Sequence, residues 1–356
     1  MKRRDLLIGT GAAGAGLTLP APAISQGLRE LTMVTDWPEG PGLLPSARRL
    51  AQAIATASNG RIRIKVSASG AVVRPFETFD AVQAGVADMF HSHIGYFEKR
   101  SPAFHLFSSV PFGFTANELF AWVHFGGGQA LWDELSGQFD IKPLLCCSTG
   151  AQMGGWFRNE ITSTAGLKGL RYRMAEPGAE IFRRLGATVV LLPGADIVRA
   201  LKSGAIDACE WLGPWLDTAM GLHQAARFYY YPAWHEPGTA LTLGINRAVW
   251  ESLEVADRRL IEMAAASEYA VSLAEFNVNN ARALRDLQQE GVVNLRQFPP
   301  AMLETFAEIS KDVVAQTGSG DPLSGKIYRS YTEFRALIRG WSDVAEGAYL
   351  RLRPVG

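Results

Sequence analysis

The chain has 356 residues, nearly half of them apolar, with 35 basic side chains against 35 acidic ones. Balanced charge without basic runs excludes a nucleic-acid partner, and well-mixed charge with this apolar content excludes a long disordered chain. Three cysteines (Cys146, Cys147 and Cys209) exclude a disulfide framework and lack zinc spacing, so they read as small buried packing groups.

Residues 1–25 read as an export signal: Lys2, Arg3 and Arg4 precede a weakly apolar Gly/Ala-rich run, and Ala21-Pro22-Ala23 begins a processing region. The Arg3-Arg4 pair fits a twin-arginine signal, while the absent Ser or Thr before it and Phe after it leave a Sec signal open. The apolar run falls short of the roughly 20 residues needed to span a bilayer. Removing residues 1–25 leaves 32 basic against 34 acidic residues, about −2 net. The remaining 330 or so exceed what one core usually supports, which predicts two lobes.

Residues 31–34 read as a strand, followed by the loop Trp37-Pro38-Glu39-Gly40-Pro41-Gly42. A helix is predicted over 45–58, with Asn59-Gly60 as its stop and a strictly alternating strand over 61–66. Strand, helix and strand of these lengths make a βαβ unit and predict parallel pairing.

An internal echo follows. Ala81-Val82-Gln83-Ala84-Gly85-Val86-Ala87-Asp88 matches Ala200-Leu201-Lys202-Ser203-Gly204-Ala205-Ile206-Asp207 at Ala, Gly and Asp, with a constant offset of 119 residues. In both copies a helix should stop at a left-handed Gly and a strand should carry the Asp. The echo aligns His91-Ser92 with Glu210-Trp211, beyond strand ends, where open parallel sheets bind ligands. A long helix is predicted over 256–290, and a final one over 328–350 whose apolar band packs on its own lobe or on a second subunit.

Arg173 ends a predicted strand just before Glu176-Pro177-Gly178 opens a helix. It is either a carboxylate-binding fork near a helix N-terminus or a solvated strand residue like Arg171. Glu210 and Glu236 read as an acid/base pair, as ligands of a hard cation, or as satisfied loop carboxylates. Trp211, Trp215, Tyr229, Tyr230, Tyr231 and Trp234 crowd one segment, as the wall of a small-molecule pocket would. The six histidines carry no H-E-x-x-H spacing, and neither a Walker loop nor a nucleophile elbow is present.

Several of these segments, in this order, resemble the extracytoplasmic solute receptors of tripartite ATP-independent periplasmic (TRAP) transporters, in particular the 2-oxo-acid and lactate branch. The resemblance is carried by Val110-Pro111-Phe112-Gly113, Thr149-Gly150-Ala151-Gln152-Met153-Gly154-Gly155-Trp156-Phe157, Gly169-Leu170-Arg171-Tyr172-Arg173, Ile206-Asp207-Ala208-Cys209-Glu210-Trp211-Leu212-Gly213-Pro214 and Tyr229-Tyr230-Tyr231-Pro232-Ala233-Trp234-His235-Glu236. It implies an α/β, two-lobed periplasmic-binding-protein fold with a central ligand cleft and long helices spanning the lobes. The expected division is 1–25 export signal, 26–150 first lobe, 151–237 second lobe, 238–325 return segments with the long shared helix, and 326–356 C-terminal helix.

Carried over by position, Arg173 would pair with the substrate carboxylate, while Glu210, the Trp211 carbonyl and Glu236 would hold Na⁺ or Ca²⁺. Gln152 would serve the cation or the substrate. Tyr96, Ser92 and His93 would reach in from the first lobe, and Phe157 and Trp211 would wall the apolar end. The resemblance further implies a periplasmic, non-enzymatic receptor for a small monocarboxylate such as pyruvate or lactate, partnered by TRAP membrane subunits and forming a homodimer through its C-terminal helix. A metal-dependent enzyme using the same cleft, or a ligand-sensing partner of a membrane receptor, are the competing readings.

Overall fold

The computed structural model describes residues 27–354, so the expected export segment lies outside the described residues. Among them no helix is long and apolar enough to cross a membrane. The chain opens with β1 (Arg29–Thr35), α1 (Leu43–Ala57), β2 (Ile62–Ser67), α2 (Thr78–Gln83), β3 (Met89–Ser92), α3 (Ala116–Phe125), α4 (Gly128–Gly137) and β4 (Ile141–Gly150). It crosses into β5 (Gly155–Phe157), β6 (Arg171–Arg173), α5 (Gly178–Arg184), β7 (Thr188–Val190), α6 (Gly194–Ser203), β8 (Ala208–Cys209), α7 (Pro214–Met220) and β9 (Phe228–Tyr231). The return comprises β10 (Thr239–Asn246), α8 (Arg247–Glu251), α9 (Val255–Glu290), β11 (Asn294–Gln297), α10 (Pro300–Gln316), α11 (Pro322–Val344) and α12 (Glu346–Leu352).

These strands build two sheets. One has the order β2-β1-β3-β10-β4 and the other β11-β9-β5-β8-β6-β7. The predicted βαβ unit is present, with β1 parallel to β2 and β3. Each sheet also contains one strand opposed to both its neighbours, β10 in the first and β5 in the second. Both lie at crossings between the lobes, where the chain enters a sheet from the far side; a pure βαβ reading does not anticipate them.

The internal echo is structural. Gly85 and Gly204 have φ of 74° and 75°, the left-handed conformation that a side chain would strain. In each copy the residue after the Gly donates back to the same Ala (Val86 to Ala81, Ala205 to Ala200), and the Asp amide donates to a neighbouring strand (Asp88 to Thr32, Asp207 to Arg171). Each Asp carboxylate then accepts from that strand residue's own N–H, at 2.7 and 3.1 Å. The same device thus fixes β3 beside β1 and β8 beside β6.

α9 ties the lobes together. Toward its N-terminal half, Glu268 accepts from Ser46 and Arg49 of α1, and the Ser272 hydroxyl accepts from Ser148 of β4. Beyond that, Phe276 packs edge-on against Trp215, whose N–H donates to Asn280. The three cysteines are free and buried, as expected from their spacing. The predicted final helix is two: α11 begins earlier, capped by Asp321, and a break at Ala345 separates α12. Tyr331, Phe334 and Ile338 pack on the first lobe, whereas Leu337, Trp341 and Val344 are about 70 % exposed.

Candidate functional site

Strand ends from both sheets converge on one cavity. β1 leads to Trp37, β3 to His93 and Tyr96, β4 to Gln152, β6 to Arg173, and β8 to Glu210 and Trp211. Glu236, Thr239 and Leu241 arrive on the crossing into β10. This is the edge where α/β sheets bind ligands. The cavity is about 20 Å³, against the 10–15 Å³ that admits one water, so the cleft is shut and the lobes must part to admit an organic molecule.

Arg173 is 1 % exposed, unlike Arg171. Its Nη1 donates to Glu210 Oε1 at 2.5 Å and to the Glu210 carbonyl at 3.0 Å, while Nε and Nη2 donate to the Leu192 carbonyl at 3.2 Å. Four of its five N–H groups are thereby engaged, leaving one on Nη2. The two-pronged fork expected for a ligand carboxylate is instead spent largely on holding the protein's own loops. Burial would raise the Glu210 carboxyl, but Arg173 holds it below the usual carboxylate range. The Trp211 ring lies 5.2 Å from the Arg173 guanidinium carbon, and a Cβ on Gly194 would come within 2.7 Å of it; only glycine leaves that seat.

Glu236 is satisfied on one oxygen only. Its Oε2 accepts from Gln152 Nε2 at 2.5 Å and from Thr239 Oγ1 at 2.7 Å, while Oε1 has only His93 Nε2 at 3.8 Å. Burial, and then the charge on Glu210, push its carboxyl up to about 7. Gln152 Oε1 is buried and without a partner, as are both ring nitrogens of His93. Burial keeps His93 neutral by depressing it to about 3.

These oxygens suit a hard cation. Gln152 Oε1, Glu236 Oε1 and Glu210 Oε2, the last two with only a histidine nitrogen at 3.8 and 3.9 Å, form an oxygen-only donor set, and the pocket holds two carboxylates against one guanidinium. Among the described residues no three His, Cys, Asp or Glu side chains cluster tightly enough to hold a metal alone, so the amide oxygen and a backbone carbonyl would have to contribute.

Two expected site residues are placed elsewhere. Ser92 does not line the cavity: its hydroxyl is committed to buried Asp36, which also accepts from Thr78 and the Phe76 amide. Phe157 faces the second-lobe core, against Tyr172, Tyr230 and Phe298, because the three-residue strand β5 sends Trp156 and Phe157 to opposite faces. Sequence reasoning missed Trp37, Leu43 and Thr239. Trp37 lies two residues past the end of β1, so the strand-end rule applied to Glu210 would have found it, whereas His91 proves to lie within β3.

A family model described as DctP, bacterial extracellular solute-binding protein, family 7, matches residues 33–320. The chain is 35 % identical to a monocarboxylate 2-oxoacid-binding periplasmic protein of Nostoc sp., over 98 % of each chain. Among solved structures it is similar to a TRAP transporter solute binding protein from Bordetella bronchiseptica (TM-score 0.89, 30 % identity, 91 % of this chain and 97 % of that one), a mixed-occupancy dimer with copurified calcium and picolinate in one site and the other apo. It is likewise similar to a TRAP periplasmic solute binding protein from Pseudoalteromonas atlantica with bound sodium and pyruvate (TM-score 0.88, 30 % identity, 92 % and 100 %).

Proposed function

Since the chain belongs to the bacterial extracellular solute-binding protein family 7, the solute receptors of TRAP transporters, we propose that it captures a small monocarboxylate, a 2-oxo or 2-hydroxy acid such as pyruvate or lactate, together with a cation. The observation that carries this is the charge of the shut cleft. With both glutamates ionised, as a bound cation requires, two carboxylates against one guanidinium leave one negative charge in excess, and a bound carboxylate adds another. A buried charge needs a paired partner, so the anion can enter only with a cation that the glutamates hold.

In this reading Glu236 Oε1, Glu210 Oε2, Gln152 Oε1 and the Trp211 carbonyl hold the ion, which cancels charge and orients the acid's oxygens. Arg173 meets the acid's carboxylate with its remaining N–H, beside the phenol of Tyr96, and His93 lines the first-lobe side. Ca²⁺ would balance the site fully, whereas Na⁺ would leave one negative charge or retain a proton on Glu236. The two sheets support a division into lobes 26–150 and 151–237 joined by the return segments. The receptor acts in the periplasm, does no chemistry on its ligand, and hands it to the membrane subunits. The exposed apolar stripe through Leu337, Trp341 and Val344 suits a homodimer contact.

Native mass spectrometry of the purified protein, followed by calorimetric titration with pyruvate and lactate, tests this. A co-purifying cation and binding that weakens on chelation and sodium removal are expected. Affinity indifferent to every cation would remove Glu210 and Glu236 from their role, and product formed from the acid would favour an enzyme instead.

A further inference from the structure

Three consecutive carbonyls follow β8, and the outer two are already engaged. The Glu210 carbonyl accepts from Arg173 Nη1 at 3.0 Å, and the Leu212 carbonyl accepts from the Met153 amide at 2.9 Å. Among the described residues no N–H or O–H donates to the Trp211 carbonyl between them. Its direction is set from behind. In a trans peptide the C=O and the following N–H point to opposite sides. The Trp211–Leu212 bond is trans, and the Leu212 N–H donates to Asp217 Oδ1 at 3.1 Å, so the Trp211 carbonyl is turned away from Asp217. Trp211 and Leu212 line the cavity, whereas Asp217 lies outside it.

Asp217 is itself firmly held. It is buried in the first turn of α7, and its Oδ2 accepts from Trp156 Nε1 at 2.8 Å and from the Tyr229 hydroxyl at 2.7 Å. Those two rings stack on each other, with centroids 3.8 Å apart. The start of α7 is anchored in turn, because the Trp215 N–H donates to Asn280 of α9 at 3.0 Å. Burying a carboxylate among aromatic rings carries a desolvation cost that an apolar side chain would not. What the carboxylate supplies in return is orientation and polarisation of one peptide: an N–H held by a carboxylate makes a charge-assisted bond, and the carbonyl of that peptide becomes a stronger acceptor.

We propose that Asp217 is a positioning residue of the cation site, which holds the Leu212 amide so that the Trp211 carbonyl faces the cavity as an oxygen donor. This rests on the reading that Glu210, Glu236, Gln152 and the Trp211 carbonyl hold a cation. Outer partners of this kind contribute about 10- to 100-fold to metal affinity.

The test is calorimetric titration of the purified protein with calcium chloride at pH 8, with and without pyruvate. Asp217→Asn keeps the side chain's shape but offers one acceptor to three donors, and should weaken calcium about 10- to 100-fold. Tyr229→Phe removes a different donor from the same carboxylate. It should lower the denaturant midpoint while calcium affinity stays within about twofold. Trp-Leu pairs occur only at 211–212 and 215–216, so carbonyl-labelled tryptophan with amide-labelled leucine marks just these two peptides for NMR. In the wild type, calcium should shift the Trp211 carbonyl carbon and the Leu212 amide proton and leave the second pair in place; these spectra decide the matter should Asp217→Asn fail to fold. Unaltered calcium affinity in Asp217→Asn, an equal loss in Tyr229→Phe, or a Trp211 carbonyl that bound calcium does not shift would overturn the proposal and leave Asp217 a brace of the core. If the wild type binds no calcium in either condition, the calcium reading of the site fails and the proposal falls with it.

Discussion

Replacing Arg173 by Ala would leave the Glu210 carboxylate buried with its guanidinium partner gone, and would also free the Leu192 carbonyl. Stripping one member from a buried pair costs on the order of 3–5 kcal/mol. Because this arginine braces its own loops as well as facing the cleft, the loss should appear both in ligand affinity and in chemical denaturation of the unliganded protein. Unchanged affinity by calorimetry would remove Arg173 from the site.

Glu236 sets a pH dependence whose sign follows from its raised carboxyl, about 7 against an ordinary 4.5. The folded, cation-free protein holds that proton more tightly than the unfolded chain. This contribution to stability is therefore full below about 4.5 and lost as pH rises through about 7. Cation binding runs the other way, because it needs the carboxylate: affinity should fall roughly tenfold per pH unit below that value. Calcium titrations at pH 5.5 and 8 check this, and equal affinities at both would exclude Glu236 as a ligand. That Arg173, Glu210 and Glu236 line one cavity could be anticipated, because Arg173 ends β6, Glu210 follows β8 and Glu236 lies in a distinctive segment; their roles came only from the family resemblance. Phe157 was misplaced because the face to which a residue points in a three-residue strand depends on one step of register.

At the level of elements, the crossing from β9 into β10 is tightly built. A Cβ on Gly238 would lie 2.3 Å from the Ala116 amide nitrogen and 2.4 Å from the Thr115 carbonyl carbon, both backbone atoms that cannot yield cheaply. Gly238→Ala should destabilise the protein by at least about 1–3 kcal/mol, the scale of overpacking, and lower affinity by displacing neighbouring Glu236. Denaturant midpoints and calorimetry on the same sample measure both effects. Helices with strong periodicity and clear stops, such as α1 and α9, were readable to within about two residues. The opposed strands β5 and β10 were not, since their direction is decided by which sheet they join after the crossing. The break at Ala345 has no proline or glycine at that residue to announce it.

At the scale of the whole molecule, the exposed face of α11 and α12 should govern assembly. Trp341→Asp places a charge in the middle of the apolar stripe and should convert a dimer into a monomer in sedimentation equilibrium, with pyruvate affinity little changed; a wild-type protein that sediments as a monomer would refute the dimer. The two-lobe division was legible from length and from the echo of 119 residues, because both lobes reuse one helix-to-strand device. Which late segments return to which sheet was not, as that pairing is non-local.

α9 also limits how the lobes can part. Its 36 residues form an unbroken rod of about 54 Å, gripped by α1 and β4 along one half and by α7 along the other. Such a spine can flex or swivel but cannot be stretched. Admitting a guest must then resemble opening a book, a change of angle at nearly constant length, with the binding of the covers carried by a single continuous backbone.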